Sequence, residues 1–226
     1  ITKVDRVLLY NCYRNSCTVK GAKKVDRTAD DIKRKMNGHS IKSEPLEFKI
    51  PEYFSRDLDE CDDFIMKWNL SSVDLYHDVK NNRVVFPIKK KGRVVDAIGR
   101  ALDKNVVPKW YKYGSHASHY SHTVERLPVS TAVLVEDVLS AITVATYFPV
   151  TGFGILGTAL LQEHIYFLSN FDRVVVALDP DALQKTLQHS KELTNYVKSV
   201  RVLRLTDDLK YKNLEDFNKL REMLNE

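Results

Sequence analysis

The sequence predicts an α/β fold, α+β over the whole chain: a doubly wound, mainly parallel sheet in residues 128–226, preceded by a smaller basic α+β lobe in 44–127. Three observations predict it. From residue 131 onward, short apolar runs alternate with helical patterns of about ten to fifteen residues, the rhythm of right-handed crossovers between parallel strands. Two of those runs, Leu134-Val135-Glu136 and Val174 through Leu178-Asp179-Pro180-Asp181, end in carboxylates. Open sheets of this class place their chemistry at those strand ends. Finally, the net charge of +5 is unevenly divided. Residues 1–43 carry a net +7, 44–79 a net −7, 80–113 a net +8 and 128–226 a net −3. A basic segment beside an acidic sheet suits a polyanion held near bound metal ions.

Residues 1–22 have the pattern of a small strand pair around Cys12 and Cys17, followed by a polar, basic helix and linker over 23–45. Pro45 and Pro51 bracket an extended piece. Leu58, Phe64, Ile65 and Trp68 predict a helix from Asp57 to Trp68, and Ser71 or Ser72 can cap a second short one. Arg83 to Ile88 and Arg93 to Ile98, joined by Lys89-Lys90-Lys91-Gly92, predict a β-hairpin with a basic turn. Pro87 there requires an outward-facing ladder position or a bulge. The aromatic, histidine-rich segment 109–122 is expected to be a loop. His116, His119 and His122 within it are better suited to contact with a nucleic acid backbone, or to solvation, than to a metal.

In the second unit the expected strands are 131–136, 150–155, 173–179 and 200–205. The expected helices are 138–147, 159–168, 181–196 and 214–224. Glu136 and Asp179 on adjacent parallel strands would emerge on one rim, with Asp181 close by at a helix start, where it can also cap. Three carboxylates on one rim repel each other unless a cation neutralises them, and an all-oxygen set suits Mg²⁺ or Mn²⁺. Asp137 and the pair Asp207-Asp208 extend the acidic set, with Asn213 and Asp216 as alternatives for the later motif. The glycine-rich stretch Gly152 to Thr158 is either a turn whose N–H groups approach a phosphate or simply a tight turn.

Glu136, the Gly154–Thr158 turn and Asp179-Pro180-Asp181 resemble the Toprim domain of primases, topoisomerases and some nucleases. Phe86-Pro87-Ile88, Gly92, Gly99-Arg100 and Pro108-Lys109-Trp110-Tyr111 resemble the lobe before it in bacterial and phage DNA primases, above all the primase parts of phage primase-helicases. Together the two matches run from about residue 83 to about 208. Tyr10 to Cys17 resembles the second cysteine knuckle of the zinc ribbon that precedes such cores. Only two of the four Zn²⁺ ligands are present, Cys12 and Cys17, so the other half is expected upstream of Ile1.

The resemblance implies a DNA primase catalytic core that makes short RNA primers on a single-stranded DNA template from ribonucleoside triphosphates. Glu136, Asp179 and Asp181 would hold Mg²⁺ or Mn²⁺, with Asp137 and Asp208 as further ligands. Arg100, Lys109 and Lys112 would contact phosphates, and Trp110 would stack on bases or serve the small-lobe core. A replicative helicase is the expected partner. The family commonly has Gly where this chain has Asp137, which leaves the number of ions open. Two other readings share the same carboxylates: a Toprim-type metal-dependent nuclease, and a non-catalytic nucleic-acid-binding replication protein.

The composition sets outer bounds. With 43% hydrophobic residues, 226 residues are enough for one or two compact units. No apolar run approaches the roughly 18 residues that would span a bilayer, so no membrane association is expected. Charges at Lys3, Asp5 and Arg6 precede only a short Val7-Leu8-Leu9 patch, so a secretory signal is not expected there. Three cysteines make no disulfide framework, and a reducing cytoplasm, the host's if phage-encoded, is expected. The first residue, Ile1, suggests part of a longer protein.

Overall fold

The computed structural model describes residues 48–114, 119–124, 129–157 and 159–225, together with the backbone of 2–4, 7–11 and 20–24. Cys12, Cys17, His116, Thr158 and most of the expected basic linker lie outside the described residues. Strands β1 (Thr2–Val4), β2 (Val7–Asn11) and β3 (Lys20–Lys24) form an antiparallel sheet, in which β2 and β3 flank the segment that holds the two cysteines. Lys23 and Lys24 thus belong to a strand, where the linker was expected.

The small lobe is a five-stranded antiparallel sheet in spatial order: β4 (Phe54–Ser55), β5 (Tyr76–Asp78), β6 (Arg83–Lys90), β7 (Arg93–Ala101) and β8 (Trp110–Lys112). Between β4 and β5 runs a 3₁₀ turn, Asp59–Cys61, continuing into helix α1 (Asp62–Trp68). Asn69 ends it in the left-handed conformation, its backbone N–H donating to the carbonyls of Ile65 and Met66. The expected second helix at Ser71 or Ser72 does not form. A turn closes instead from the Val73 N–H to the Leu70 carbonyl, and the chain enters β5. Buried Leu75 and Tyr76 decide this, because extended chain sends Leu75 into the main core and Tyr76 into the separate cluster around Phe54 and Val85.

The hairpin forms as expected and is longer, pairing as far as Lys90 with Arg93. Only Lys91 and Gly92 remain in the turn, both at positive φ, 51° and 78°, as the twist of a two-residue hairpin loop requires. A bulge falls between Ile88 and Lys89. The carbonyl of Ala97 accepts from the N–H of Tyr113, on the β8 side. Pro87, opposite Ala97, therefore faces its missing N–H away from β7, beyond the last pairing of β5 at Val85.

The second sheet has the order β13-β12-β10-β11-β9. Strands β10 (Thr131–Val135), β11 (Thr151–Gly154), β12 (Arg173–Val176) and β13 (Ser199–Val202) are parallel. The fifth, β9 (Tyr120–His122), pairs antiparallel with β11 and closes that edge. Segment 109–122, expected as a loop, thus supplies one short strand to each of the two five-stranded sheets, β8 and β9. Helices α2 (Val138–Tyr147), α3 (Gln162–Leu168), α4 (Leu183–Leu193) and α5 (Leu214–Asn225) complete the unit.

Strand alternation explains why it is doubly wound. Val133, Val135, Val175 and Ala177 face α2 and α5, while Ala132, Leu134, Val174 and Val176 face α3 and α4. The first of these cores runs on without a break into Phe86, Ile88 and Ile98 of the small lobe, so the two lobes share one hydrophobic interior. Lys90 at the hairpin tip and Glu163 on α3, 3.6 Å apart, add a peripheral tie.

The glycine-rich stretch has a packing role. A Cβ on Gly152 would lie 1.9 Å from the Ala141 carbonyl oxygen, and one on Gly154 would lie 2.9 Å from that of Asp137. α2 thus rests directly on the backbone of β11. That closeness brings the start of α2, and the Glu136-Asp137 pair before it, against the sheet edge.

Candidate active site

Glu136 follows β10 directly, and its backbone is held by the next strand: its carbonyl accepts from the Leu156 N–H at 3.3 Å. Leu156 adopts φ 51°, a left-handed conformation uncommon for a leucine. Asp179 stands three residues past β12 and leads into a 3₁₀ turn, Pro180–Ala182, that carries Asp181. Glu136 and Asp179 therefore project from neighbouring parallel strands at their carboxyl ends. They line one cleft of about 480 Å³ with Asp137, Leu156 and Gly157, and on its opposite side with Ile98, Trp110 and Lys112 of the small lobe.

The charges there are incompletely compensated. Burial raises the pKa of Glu136, Asp181 raises it further, and Lys185 opposes them in part. Asp179 is pushed up to about 7, first by burial, then by Asp208, with which it shares a hydrogen bond, and then by Glu136. Asp181 is exposed and caps nothing, since no side chain bonds the start of α4. Capping does not account for it, and its field acts on Glu136.

Asp137 has two engagements. One oxygen accepts the Ser140 N–H at 2.8 Å and caps α2; the other lies 3.0 Å from Lys210 Nζ. Lys210 also forms an ion pair with Asp208. Burial alone would lower the pKa of Lys210, but Asp137 and Asp208 outweigh it and raise it above its ordinary value. Asp208 is reached through a loop fixed from α5. Wholly buried Asp216 accepts the backbone N–H groups of Thr206 and Asp207 and the Thr206 hydroxyl. Asp216 is thus a positioning group, and Asp208 is the residue brought to the rim.

Among the described residues no three His, Cys, Asp or Glu side chains are gathered tightly enough to enclose an ion. The rim nevertheless fits a hard divalent cation in its chemistry. Its donors are carboxylate oxygens that raise each other's proton affinity, and one ammonium already stands between two of them.

The expected phosphate and base contacts divide between two clefts. Lys112 and Trp110 line the carboxylate cleft. Arg100 and Lys109 line a second cavity of about 680 Å³, bounded by Phe64, Lys67 and Trp68 of α1 and by Tyr211. Arg100 still meets Trp110, its guanidinium carbon 5.2 Å from the ring centre. Trp110 also packs on Phe86 at 5.9 Å, so it serves the core as well as the cleft. In the hairpin, Lys89 pairs with Asp74 and Lys90 with Glu163, while Lys91 is exposed in the turn. His119 is buried and stacked on Phe153, and His122 stacks on Tyr120.

No family model and no curated protein matches this sequence. Solved structures do match. The DnaG catalytic core aligns with a TM-score of 0.50 at 18% identity, over 84% of this chain and 71% of that one. The primase fragment of the bacteriophage T7 primase-helicase protein aligns with a TM-score of 0.50 at 16% identity, over 81% and 80%. This chain has the fold of a primase catalytic core. The Aquifex aeolicus primase, with its zinc-binding and RNA polymerase domains, aligns over 66% of this chain at 24% identity and a TM-score of 0.49. This chain spans 41% of the length of that structure.

Beyond the expected residues, the core fold brings Lys210 to the rim. Its signal in the sequence was thin: one Lys two residues past Asp208, indistinguishable from a solvated surface lysine.

Proposed function

We propose that this protein is the catalytic core of a DNA primase, joining ribonucleoside triphosphates into short RNA primers on a single-stranded DNA template. The observation that carries the reading is the cleft itself. Glu136 and Asp179 face Trp110 and Lys112 across it, with Asp181 and Asp208 adding to the negative field. The likeness in fold to the DnaG catalytic core and the T7 primase fragment supports it.

Phosphoryl transfer of this kind gains chiefly from positioning and charge neutralisation. Glu136, Asp179 and Asp181 would hold Mg²⁺ or Mn²⁺, with Asp208 beside them. A divalent cation held there would supply a lowered pKa at the attacking 3′-hydroxyl and an offset to the charge of the pyrophosphate leaving group. Lys112, exposed on the opposite wall, meets the triphosphate as a point charge. Trp110 presents an aromatic surface to a base, steadied by Phe86 behind it and Arg100 beside it. Arg100 and Lys109 in the second cavity take the template backbone. The T7 neighbour is the primase fragment of a primase-helicase protein, and a replicative helicase is the partner proposed here.

The test is incubation with single-stranded DNA, labelled ribonucleotides and Mg²⁺ or Mn²⁺. Template-dependent oligoribonucleotides that vanish with Glu136→Gln support the proposal. Metal-dependent strand cleavage without nucleotides would assign a nuclease instead. Nucleic acid binding with neither chemistry would leave a replication-scaffold module.

A further inference from the structure

We infer that Lys210 is the resident counter-ion of the carboxylate rim, standing where a second divalent cation would bind between Asp137 and Asp208, so that the rim takes a single divalent ion. The inference rests on the reading of Glu136, Asp179 and Asp181 as a metal site and concerns how many ions that site holds.

Lys210 Nζ lies 3.0 Å from Asp137 Oδ2 and pairs with Asp208 Oδ2. All three side chains are largely buried: 12% of Lys210 is exposed, 20% of Asp137 and 19% of Asp208. An ammonium between two carboxylates that water reaches poorly is a fixed part of the site rather than a passing surface contact. Two carboxylates completed by waters are also what Mg²⁺ commonly accepts, so the ammonium and a metal ion would compete for one place.

The backbone holds the lysine there. Lys210 is the central residue of a 3₁₀ turn, Leu209–Tyr211, whose Leu209 is buried and whose Tyr211 packs on Trp68 of α1 at 5.7 Å. Lys212 closes the turn in the left-handed conformation, its N–H bonded to the Leu209 carbonyl. Asp216 pins the approach to the turn through Thr206 and Asp207. Both acids are tied down as well. The second oxygen of Asp137 caps α2, and the backbone N–H of Asp208 donates to the Asp207 side chain at 2.8 Å. Asp137, where the resembling family commonly has Gly, thus acts with Lys210: the extra carboxylate arrives with its own cation.

Titrating the full chain with Mn²⁺, and counting bound ions from the loss of the free-ion signal in electron paramagnetic resonance, tests this. The wild type is expected to bind one ion per chain. Lys210→Met should open a second, weaker site, which the added substitution Asp137→Asn removes while leaving the first. Lys210→Arg, which keeps the charge, should bind one. Two ions on the wild type would overturn the inference without touching the metal-site reading. So would a folded Lys210→Met protein, checked by circular dichroism, that still binds one. No ion on the wild type would overturn both. The wild-type count decides even where Lys210→Met does not fold.

Discussion

The carboxylate of Asp216 accepts the backbone N–H of Thr206 at 3.1 Å on one oxygen and 3.0 Å on the other, tying the start of α5 to the loop that delivers Asp208. The Thr206 hydroxyl and the Asp207 N–H converge on the same group at 2.9 and 3.1 Å. Removing the acceptor leaves several donors in a buried place without a partner. Asp216→Ala is expected to cost on the order of 2–4 kcal/mol, measured by urea unfolding, because hydrogen bonds to a charged group are the strong ones and orphaned donors add their own penalty. The Asp207 amide should also lose protection in hydrogen exchange. Unchanged stability would mean that the loop holds itself.

Asp179 yields a prediction with a sign. Its pKa in the folded chain, pushed up to about 7, exceeds its ordinary carboxylate value of 3.8. Between those values the native state binds the proton more tightly than the unfolded state does. This contribution to stability is full below about pH 4 and is lost as pH rises through 7. Asp179→Asn carries no such charge. Without divalent ions the variant is expected to be more stable than wild type at pH 8 by about 1–2 kcal/mol, after discounting for solvent screening, and equal to it near pH 4. Added Mg²⁺ should stabilise the wild type and leave the variant unmoved. Urea titrations across that pH range, with and without Mg²⁺, read both effects. A variant less stable at pH 8 than wild type would contradict the repulsion at the rim.

The glycines after β10 separate packing from chemistry. At Gly152 a methyl group would fall 1.9 Å from a backbone oxygen of α2, which no rotamer change relieves. Gly152→Ala is expected to destabilise by about 3 kcal/mol or more, or to prevent folding, since helix and strand must part. Gly157 lines the cleft with open space around it, so Gly157→Ala should leave the melting temperature close to wild type. If the two variants melted alike, the close contact of α2 with β11 would be in doubt.

The second sheet was legible because its buried strands are written in runs of Val, Ala and Leu, two of which lead to the acids Glu136 and Asp179. Helix 138–147 has the bounds expected of it, and the structure adds that Asp137 caps it. β8 and β9 were missed because each is three residues long and lies among histidines, serines and glycines that suggest a loop; pairing with longer strands decides them. At the site, Glu136 and Asp179 were visible as strand-terminal acids. Lys210 and the role of Asp216 were not, because what makes them matter is the fold of residues 206–216 back onto the rim. The division of the basic residues between two clefts was equally hidden. Trp110 and Lys112 point to one cleft while Arg100 and Lys109 border the other, and sequence proximity cannot distinguish them.

That division predicts different defects for two neighbouring cations. Arg100 borders the cavity walled by Trp68 and Tyr211, away from Glu136 and Asp179. A phosphate contact there releases counterions when a strand binds, so Arg100→Ala should weaken single-stranded DNA binding and reduce the slope of log affinity against log salt by about 0.7. Arg100→Lys keeps the charge and should restore the slope, but not the full affinity, since its contact with the Trp110 ring is poorer. Lys112 borders the carboxylate cleft, so Lys112→Ala should raise the KM for ribonucleotides while leaving the DNA salt slope near wild type. Fluorescence anisotropy of a labelled oligodeoxynucleotide at several salt concentrations measures the first effect, and initial rates at varied nucleotide measure the second. An unaltered slope for Arg100→Ala would remove it from the template path. Identical defects in both variants would mean that the two clefts act as one groove.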